Sequence, residues 1–332
     1  MIWVTWRQHR TENLLAAALL AAFASVMLVT GLRIASAYHD LGVGACLGAT
    51  QGTQHCQDAV AGFNRAVGSF GNVIGWANFL PFILGVLLAA PLILDLESGT
   101  YRFAWMQSIT RTRWILVKLA LIAVAATLVG MLLALVFSWW RMPFDHLSGS
   151  IQPNEAFDFE GIAPIGYILF AISLVVASGT LIRRTIPAIG LSFVVFLVTR
   201  VGVQTYLRPH FLAPLKKVVP ATGDPSIARG VAPQAWVLSN GFSDKLGNVL
   251  SDRQVFALMD KCMARLTALP KGSKAMQDGL GGCMRSHHIY NYVIYQPAGR
   301  FWTLQGIEFA LYAAISAVLL GLTAWWVRER IG

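Results

Sequence analysis

Charged side chains are scarce in this sequence. They make up 13% of its 332 residues, whereas soluble domains carry about 25%. The deficit is concentrated in apolar runs of about 20 residues or more, the length at which a helix crosses a bilayer core. These runs are Leu14–Ala37, Asn72–Leu94, Leu116–Trp140, Ile162–Ile182, Ile186–Tyr206 and Leu304–Val327. We therefore expect a membrane protein that crosses the bilayer six times.

The apolar runs also lack the alternation of apolar and polar residues that marks a membrane β-strand. Helices satisfy their own backbone hydrogen bonds in lipid, so the expected fold class is an all-α membrane protein with six transmembrane helices. No convincing small-residue cleavage site follows the first run, which is therefore expected to remain as the first span.

Two kinds of catalytic motif are missing from the chain. It contains no GxxxxGK[ST] phosphate loop, so ATP hydrolysis by that route is not expected of it. The apolar runs hold almost no His, Asp, Glu or Cys at matched depth, which disfavours a membrane enzyme. The net charge of +10 is better explained by cytoplasmic loops than by nucleic-acid binding, because Lys and Arg gather in such loops.

If successive runs cross the membrane in alternating directions, the basic residues near their ends fall on one face of the membrane. They are Arg7, Arg10, Arg102, Arg111, Arg113, Lys118, Arg183, Arg184, Arg328 and Arg330. This face is expected to be cytoplasmic, with both termini inside. The opposite loop between the third and fourth runs is acidic, with Arg141 set against four carboxylates. These are Asp145, Glu155, Asp158 and Glu160.

The alternation divides the chain into three parts. Residues 1–206 would form an N-terminal amphipathic segment and helices 1–5, residues 207–302 a small extracellular domain, and residues 303–332 helix 6 and a cytoplasmic tail. Long loops translocate largely regardless of charge, so the basic residues of the second part do not oppose this. Within it, "SDRQVFALMDKCMARL" predicts an amphipathic helix, with Ser251 and Gln254 as a capping box.

The four cysteines all fall in predicted outside segments. Cys46 and Cys56 share one loop, and Cys262 and Cys283 share the extracellular domain. Outside compartments are oxidising, so we expect two local disulfides. Four free thiols are the alternative. A zinc site using His55 with Cys56, or His287 and His288 with Cys283, is a further alternative that lacks the usual ligand spacing.

The segment "DLESGTYRFAWMQSITRTRW" lies between the second and third runs. Gly99 is expected to end the second helix and Thr100 to cap a new one. From Tyr101 onward the residues suit a short helix on the membrane surface, and a solvated turn remains an equal alternative.

Three stretches resemble the permease subunit of a bacterial ABC-2 type transporter: "LESGTYRFAWMQSITRTRWILVKL", the opening "MIWVTWRQHR" and the late "YQPAGRFWTLQGIE". The resemblance implies a coupling helix at about residues 97–113 that docks on an ABC ATPase subunit. The implied contacts are Glu97, Gly99, Thr100, Tyr101, Arg102, Gln107 and Arg111. It also implies an N-terminal connecting helix with Ile2, Trp3 and Trp6 toward the membrane, and Arg7, Gln8 and Arg10 toward water.

The same resemblance implies an exporter in a bacterial cell membrane. It would move a hydrophobic or amphipathic substrate by alternating access, with ATP and Mg bound by the partner ATPase. A second permease chain, identical or similar, and membrane lipids are the other implied partners. A membrane sensor or assembly factor, whose extracellular domain binds a ligand without transport, is the alternative.

Polar residues in the outer halves of two runs are candidates for a substrate path. They are Asn72, Trp76 and Asn78 in the second run, and Thr199, Arg200 and Gln204 in the fifth. We expect Arg200 to extend to the outer interface, and an anionic headgroup or cargo is its alternative partner. Glu308 is expected either to pair with a neighbour such as Arg300 or to act in transport. No metal site and no catalytic residue is predicted.

The topology is tested with a cysteine introduced by Ser98→Cys. A membrane-impermeant thiol reagent should modify it only after the cells are permeabilised, because this position is predicted to face the cytoplasm. The matched variant Ser251→Cys, in the predicted extracellular domain, should react in intact cells. Labelling of Ser98→Cys in intact cells would contradict the whole orientation.

Overall fold

The structure is a computed structural model. It describes residues 10–46, 54–70, 75–99, 110–151, 156–221, 234–264, 266, 270 and 273–330. The chain forms two compact units. The transmembrane unit comprises Met1–Leu147, Pro153–Arg208 and Trp302–Gly332, and the small unit comprises Ser148–Gln152 and Pro209–Phe301.

The helices are named in chain order. They are α1 (Arg10–Asp40), α2 (Gln54–Val67), α3 (Leu80–Ser98), α4 (Arg111–Ser148), α5 (Ala163–Ile182), α6 (Thr185–Gly202), α7 (Asp252–Ala264), α8 (Lys274–Ser286) and α9 (Phe301–Arg330). The strands are β1 (Leu215–Pro220), β2 (Trp236–Ser243) and β3 (Tyr290–Gln296). Helix α6 continues through a π-helical turn, Val203–Leu207, and a 3-10 turn, Arg208–His210.

Within the described residues, six helices are long and apolar enough to cross a membrane: α1, α3, α4, α5, α6 and α9. The prediction of six spans is therefore confirmed, and the chain is a multi-pass membrane protein. The bounds of most spans differ from the predicted runs. The first span is Leu20–Asp40, the third extends over Thr112–Leu147, and the fifth continues to His210 rather than ending at Tyr206. Helices extend beyond their apolar stretch because polar residues are tolerated at the membrane surface.

Helix α5 occupies the centre of the transmembrane unit and packs against α3 and α6. Small residues allow the closest approach. A Cβ atom added to Gly85 would lie 2.5 Å from the Cβ of Ala171, and one added to Gly179 would lie 2.8 Å from Ile93. Close backbone approach through small residues is the usual way in which membrane helices associate. Helices α3 and α5 are therefore held together along their length.

A second apolar cluster joins α1, α2 and α4 around the disulfide Cys46–Cys56, whose Cα atoms are 5.3 Å apart. Trp140 of α4 is buried there, and its Nε1 donates a hydrogen bond of 2.9 Å to Thr30 of α1. Helix α2 was not predicted from the sequence. Its packing residues Ala59 and Phe63 face this cluster.

The small unit contains an antiparallel sheet with strand order β1-β3-β2, together with α7 and α8. The disulfide Cys262–Cys283 joins the two helices. Because both predicted disulfides are present, these sulfur atoms are neither free thiols nor zinc ligands. Helix α7 begins as predicted, with the backbone N–H of Ser251 donating to Gln254 Oε1 over 3.1 Å.

Candidate functional site

The described residues include only the two ends of the 97–113 segment. Thr100, Tyr101, Arg102 and Gln107 lie outside the described residues, as do Ile2, Trp3, Trp6, Arg7, Gln8 and Asn72. At the first end, α3 stops at Gly99, whose φ of 74° is left-handed, as expected for a glycine that ends a helix. At the second end, Thr110 Oγ1 accepts a hydrogen bond from the backbone N–H of Arg113, and α4 begins at Arg111.

Two contacts fasten the end of α3 to other helices. Asp95 forms a largely buried ion pair with Lys118 of α4. Glu97 accepts hydrogen bonds from the backbone N–H of Thr185, at 3.0 Å, and from the Thr185 hydroxyl. Both of these bonds end on Oε2, and the Glu97 side chain is exposed. The end of α3 is therefore tied to Lys118 of α4 and to the first turn of α6.

A group of buried charges lies at the ends of the spans that are remote from the 97–113 segment. We call Asp158, Arg200, Arg208 and Glu308 the buried charge cluster; two acids and two arginines give it a formal charge of zero. Arg208 donates from Nε to Glu308 Oε2 over 2.7 Å, from Nη2 to Glu308 Oε1 over 2.8 Å, and from Nη2 to Asp158 Oδ1 over 2.6 Å. Tyr167 of α5 donates to Glu308 Oε1 over 2.7 Å. The cluster thus joins α5, α6 and α9.

Arg200 is held less tightly than Arg208. Its Nη2 is 3.6 Å from Asp158 Oδ1, longer than the roughly 2.7–2.9 Å of a charge-assisted hydrogen bond. Its guanidinium stacks 3.5 Å from the centre of the Tyr167 ring. The prediction that Arg200 extends to the outer interface is therefore wrong: the side chain is buried inside the protein, because an acid distant in sequence lies beside it.

The partner predicted for Glu308 is also corrected. Glu308 pairs with Arg208, whereas Arg300 donates to the backbone oxygen of Ala213 and to Gln296 Oε1. Closeness in sequence suggested Arg300, but the structure places Arg208 beside Glu308.

The π-helical turn of α6 brings both arginines to one face. In an α-helix of 3.6 residues per turn, residues eight apart would be rotated by about 80°. A π turn accommodates an additional residue and is frequent at functional sites. Val203–Leu207 forms that turn, between Arg200 and Arg208. On the same face, Gln204 Nε2 donates to Asp158 Oδ2 over 3.3 Å.

The turn that carries Asp158 is fixed to α9 by Gln305. This buried side chain donates to the backbone oxygen of Phe157 and accepts from the backbone N–H of Ala163, each over 2.7 Å. Gly161 has a φ of 67°, and an added Cβ would lie 3.0 Å from Gln305. Asp158 is thus positioned by backbone contacts as well as by its charge.

A separate acidic pair surrounds Arg141. The guanidinium Nε is 3.2 Å from Glu160 Oε1 and 3.5 Å from Asp145 Oδ1. Burial and the neighbouring Asp145 carboxylate raise the pKa of Glu160 to about 9, against the weaker opposing effect of Arg141. Glu160 is therefore protonated at neutral pH. Among the described residues, no group of three or more His, Cys, Asp or Glu could hold a metal ion.

The candidate substrate-path residues are only partly brought together. Arg200 and Gln204 both face Asp158, and Thr199 is half-buried next to them. Trp76 is 78% exposed and Asn78 is half-buried. Ala77, between those two, lines a small apolar pocket together with Asp158. Ala77 of the second span thus lies near Asp158, the residue that Arg200 and Gln204 of the fifth span face.

A family model described as ABC-2 membrane transporter related matches residues 17–208, more than half of the chain. The chain belongs to this family. No curated protein and no solved structure matches it. The matched region extends from α1 to Arg208 and so contains three of the four residues of the buried charge cluster.

Four residues of this ABC-2 permease were not identified as site residues from sequence: Asp158 and Arg208 of the buried charge cluster, and Tyr167 and Tyr312 beside it. Arg208 could have been noticed, since it lies eight residues after Arg200, just beyond the apolar run. The acid-rich loop provided a weaker signal for Asp158. The two tyrosines gave none, because such residues are common in membrane spans.

The buried charge cluster is tested with the variant Arg208→Gln. Removing one partner of a buried ion pair costs about 3–5 kcal/mol, since unpaired charges remain buried. The free energy of unfolding, measured by denaturing-detergent titration in mixed micelles, should fall by that amount. The double variant Arg208→Gln/Glu308→Gln restores a formal charge of zero and should recover part of the loss.

The control for this cluster is Glu329→Gln, which breaks the exposed pair Arg328–Glu329. It should cost less than about 1 kcal/mol. A permease whose stability is equal in Arg208→Gln and Glu329→Gln would contradict a structural role for the cluster.

The protonation of Glu160 predicts a pH effect on stability. The folded state keeps this proton up to pH about 9, whereas an unfolded glutamate loses it near pH 4.3. The unfolded state binds fewer protons in this interval, so stability should fall as pH rises. Between pH 5.5 and 8.5, the Tm of the permease should therefore fall more than that of Glu160→Gln. Parallel Tm profiles for the two proteins would show that Glu160 is already ionised.

Proposed function

We propose that this chain is the permease subunit of an ATP-driven exporter in a bacterial cell membrane. It moves a hydrophobic or amphipathic substrate by alternating access, and a separate ABC ATPase subunit binds Mg and ATP and hydrolyses the nucleotide. Two permease chains, identical or similar, complete the transporter. Both termini face the cytoplasm, as do the C-terminal ends of α3 and α5.

The observation that carries this proposal is the attachment of the end of α3, where the 97–113 segment begins, to two other helices. Asp95 connects the end of α3 to Lys118 in α4, and Glu97 connects it to Thr185 at the start of α6. A force applied to this segment therefore acts on three membrane-spanning helices. An ATPase needs such a connection, because its own movement occurs outside the membrane.

Glu97 is well suited to join the two subunits. A carboxylate accepts several hydrogen bonds through its two oxygens. Both bonds from Thr185 end on Oε2, so an ATPase donor can approach Oε1 on the exposed side. One side chain then links the ATPase to the start of α6. Glu97 is proposed to act together with Gly99, Thr100, Tyr101, Arg102, Gln107 and Arg111.

Helix α6 carries the movement across the membrane. Thr185 lies at its first turn and Arg208 at its last, about 35 Å away at 1.5 Å per residue. The first end bonds to Glu97, and the second lies in the buried charge cluster. Arg200 and Gln204, near the second end, are proposed to meet the substrate.

The proposed function is tested by coupling to an ATPase. The permease is co-expressed with candidate ABC ATPases and reconstituted in lipid, and permease-stimulated ATP hydrolysis is measured. Glu97→Ala and Arg102→Ala should each lose most of this stimulation while the complex still co-purifies. Wild-type stimulation in both variants would exclude these contacts.

Two further variants separate the possible roles of Glu97. Thr185→Ala removes the hydroxyl bond to Glu97 but keeps the bond from the backbone N–H. It should therefore lose part of the stimulation if the carboxylate acts through α6, and none if Glu97 contacts only the ATPase. Glu329→Ala removes another exposed acid from the end of α9 and should have no effect.

A further inference from the structure

The buried charge cluster has an excess of hydrogen-bond donors. Within the described part of the chain, three buried polar atoms near it have no hydrogen-bond partner: Arg200 Nη1, Arg208 Nη1 and Tyr312 Oη. All three can donate. The four carboxylate oxygens of Asp158 and Glu308 already accept hydrogen bonds from Arg208, Tyr167 or Gln204. The group therefore suits an additional ligand that accepts hydrogen bonds.

The three side chains with unpaired donors meet at Tyr167. Arg200 stacks 3.5 Å from the centre of its ring, and Arg208 Nη2 lies 3.3 Å from its hydroxyl oxygen. The Tyr312 ring is edge-on to the Tyr167 ring, with centroids 5.1 Å apart. One ligand beside Tyr167 can therefore be approached by α6 and α9 together.

Arg200 is the member that can exchange its partner. Its contact with Asp158 is 3.6 Å, whereas Arg208 holds the same Oδ1 atom at 2.6 Å. Asp158 would keep a close cation if Arg200 turned to another anion. The planar guanidinium fork of arginine matches a phosphate or carboxylate with two parallel hydrogen bonds.

The surroundings indicate what kind of anion can arrive. Neighbouring residues of α6, such as Val194, Val198 and Val201, are apolar and more than half exposed. A small hydrated ion would lose its water shell there at high cost. An anion carried on an apolar tail can leave that tail in the hydrocarbon region while its headgroup reaches the arginine.

We propose that Arg200, Arg208 and Tyr312 bind the anionic headgroup of an amphiphile, a phosphate or carboxylate on an apolar tail. The headgroup replaces Asp158 as the partner of Arg200, while Arg208 remains bound to Asp158 and Glu308. This assignment rests on the proposed function, for which it names the substrate class.

The site is tested by lipid binding to the purified permease without any ATPase. The permease in detergent is titrated with phosphatidylglycerol or with phosphatidylcholine of the same acyl chains, and native mass spectrometry measures the fraction of permease that carries bound lipid. The permease should bind phosphatidylglycerol about tenfold more tightly, because its headgroup is a net anion for Arg200, whereas the choline cation of phosphatidylcholine neutralises the phosphate. Arg200→Lys and Tyr312→Phe should each lose most of this preference without changing phosphatidylcholine binding.

Both variants are chosen to preserve the fold. Arg200→Lys keeps a cation beside Asp158 but removes the guanidinium fork, and Tyr312→Phe keeps the ring but removes the hydroxyl that lacks a partner. Arg33→Gln, which removes an exposed arginine from α1, is the control for general attraction and should keep the preference.

Three results would overturn the proposal. The first is an unchanged lipid preference in both Arg200→Lys and Tyr312→Phe, and the second is an equal loss in Arg33→Gln. The third is displacement of phosphatidylglycerol by millimolar inorganic phosphate, which would show that no apolar tail is needed. Because the assay contains no ATPase, its outcome is independent of whether ATP hydrolysis couples to the permease.

Discussion

Four charges buried among apolar helices impose the strongest constraint on the transmembrane unit. Each would be costly alone, because an ion loses its hydration in a low-dielectric interior. They are tolerated because Asp158 and Glu308 lie beside Arg208 and Arg200. The groups come from α6, α9 and the turn before α5, so none of these elements can adopt its position without the others. The ion pairs therefore determine how these parts of the chain fit together.

The two ends of α6 are held by contacts of different strength. The bonds between Glu97 and Thr185 are exposed to solvent, where a net hydrogen bond contributes only about 0.5–1.5 kcal/mol. Arg208, at the other end, is 1% exposed and bonds both acids. The start of α6 is therefore held more weakly than its Arg208 end.

The sequence predicted those features that depend on local patterns. The six spans followed from apolar length, the end of α3 from Gly99, and the start of α7 from Ser251 and Gln254. The charge partners could not be predicted in this way. Arg208 and Glu308 are 100 positions apart, and only tertiary structure brings them together. The sheet of the small unit was missed as well, because β1 contributes a short, largely exposed edge strand without clear alternation.

Arg200 and Arg208 lie on one face of α6, but they differ in the number and the length of their contacts. Arg208 uses Nε and Nη2 to hold two acids, so replacing a partner would break several hydrogen bonds at once. Arg200 has one long contact with Asp158 and a stacking contact with Tyr167. Arg208 therefore holds the end of α6 in the cluster, while Arg200 keeps a single long contact with an acid that Arg208 already bonds.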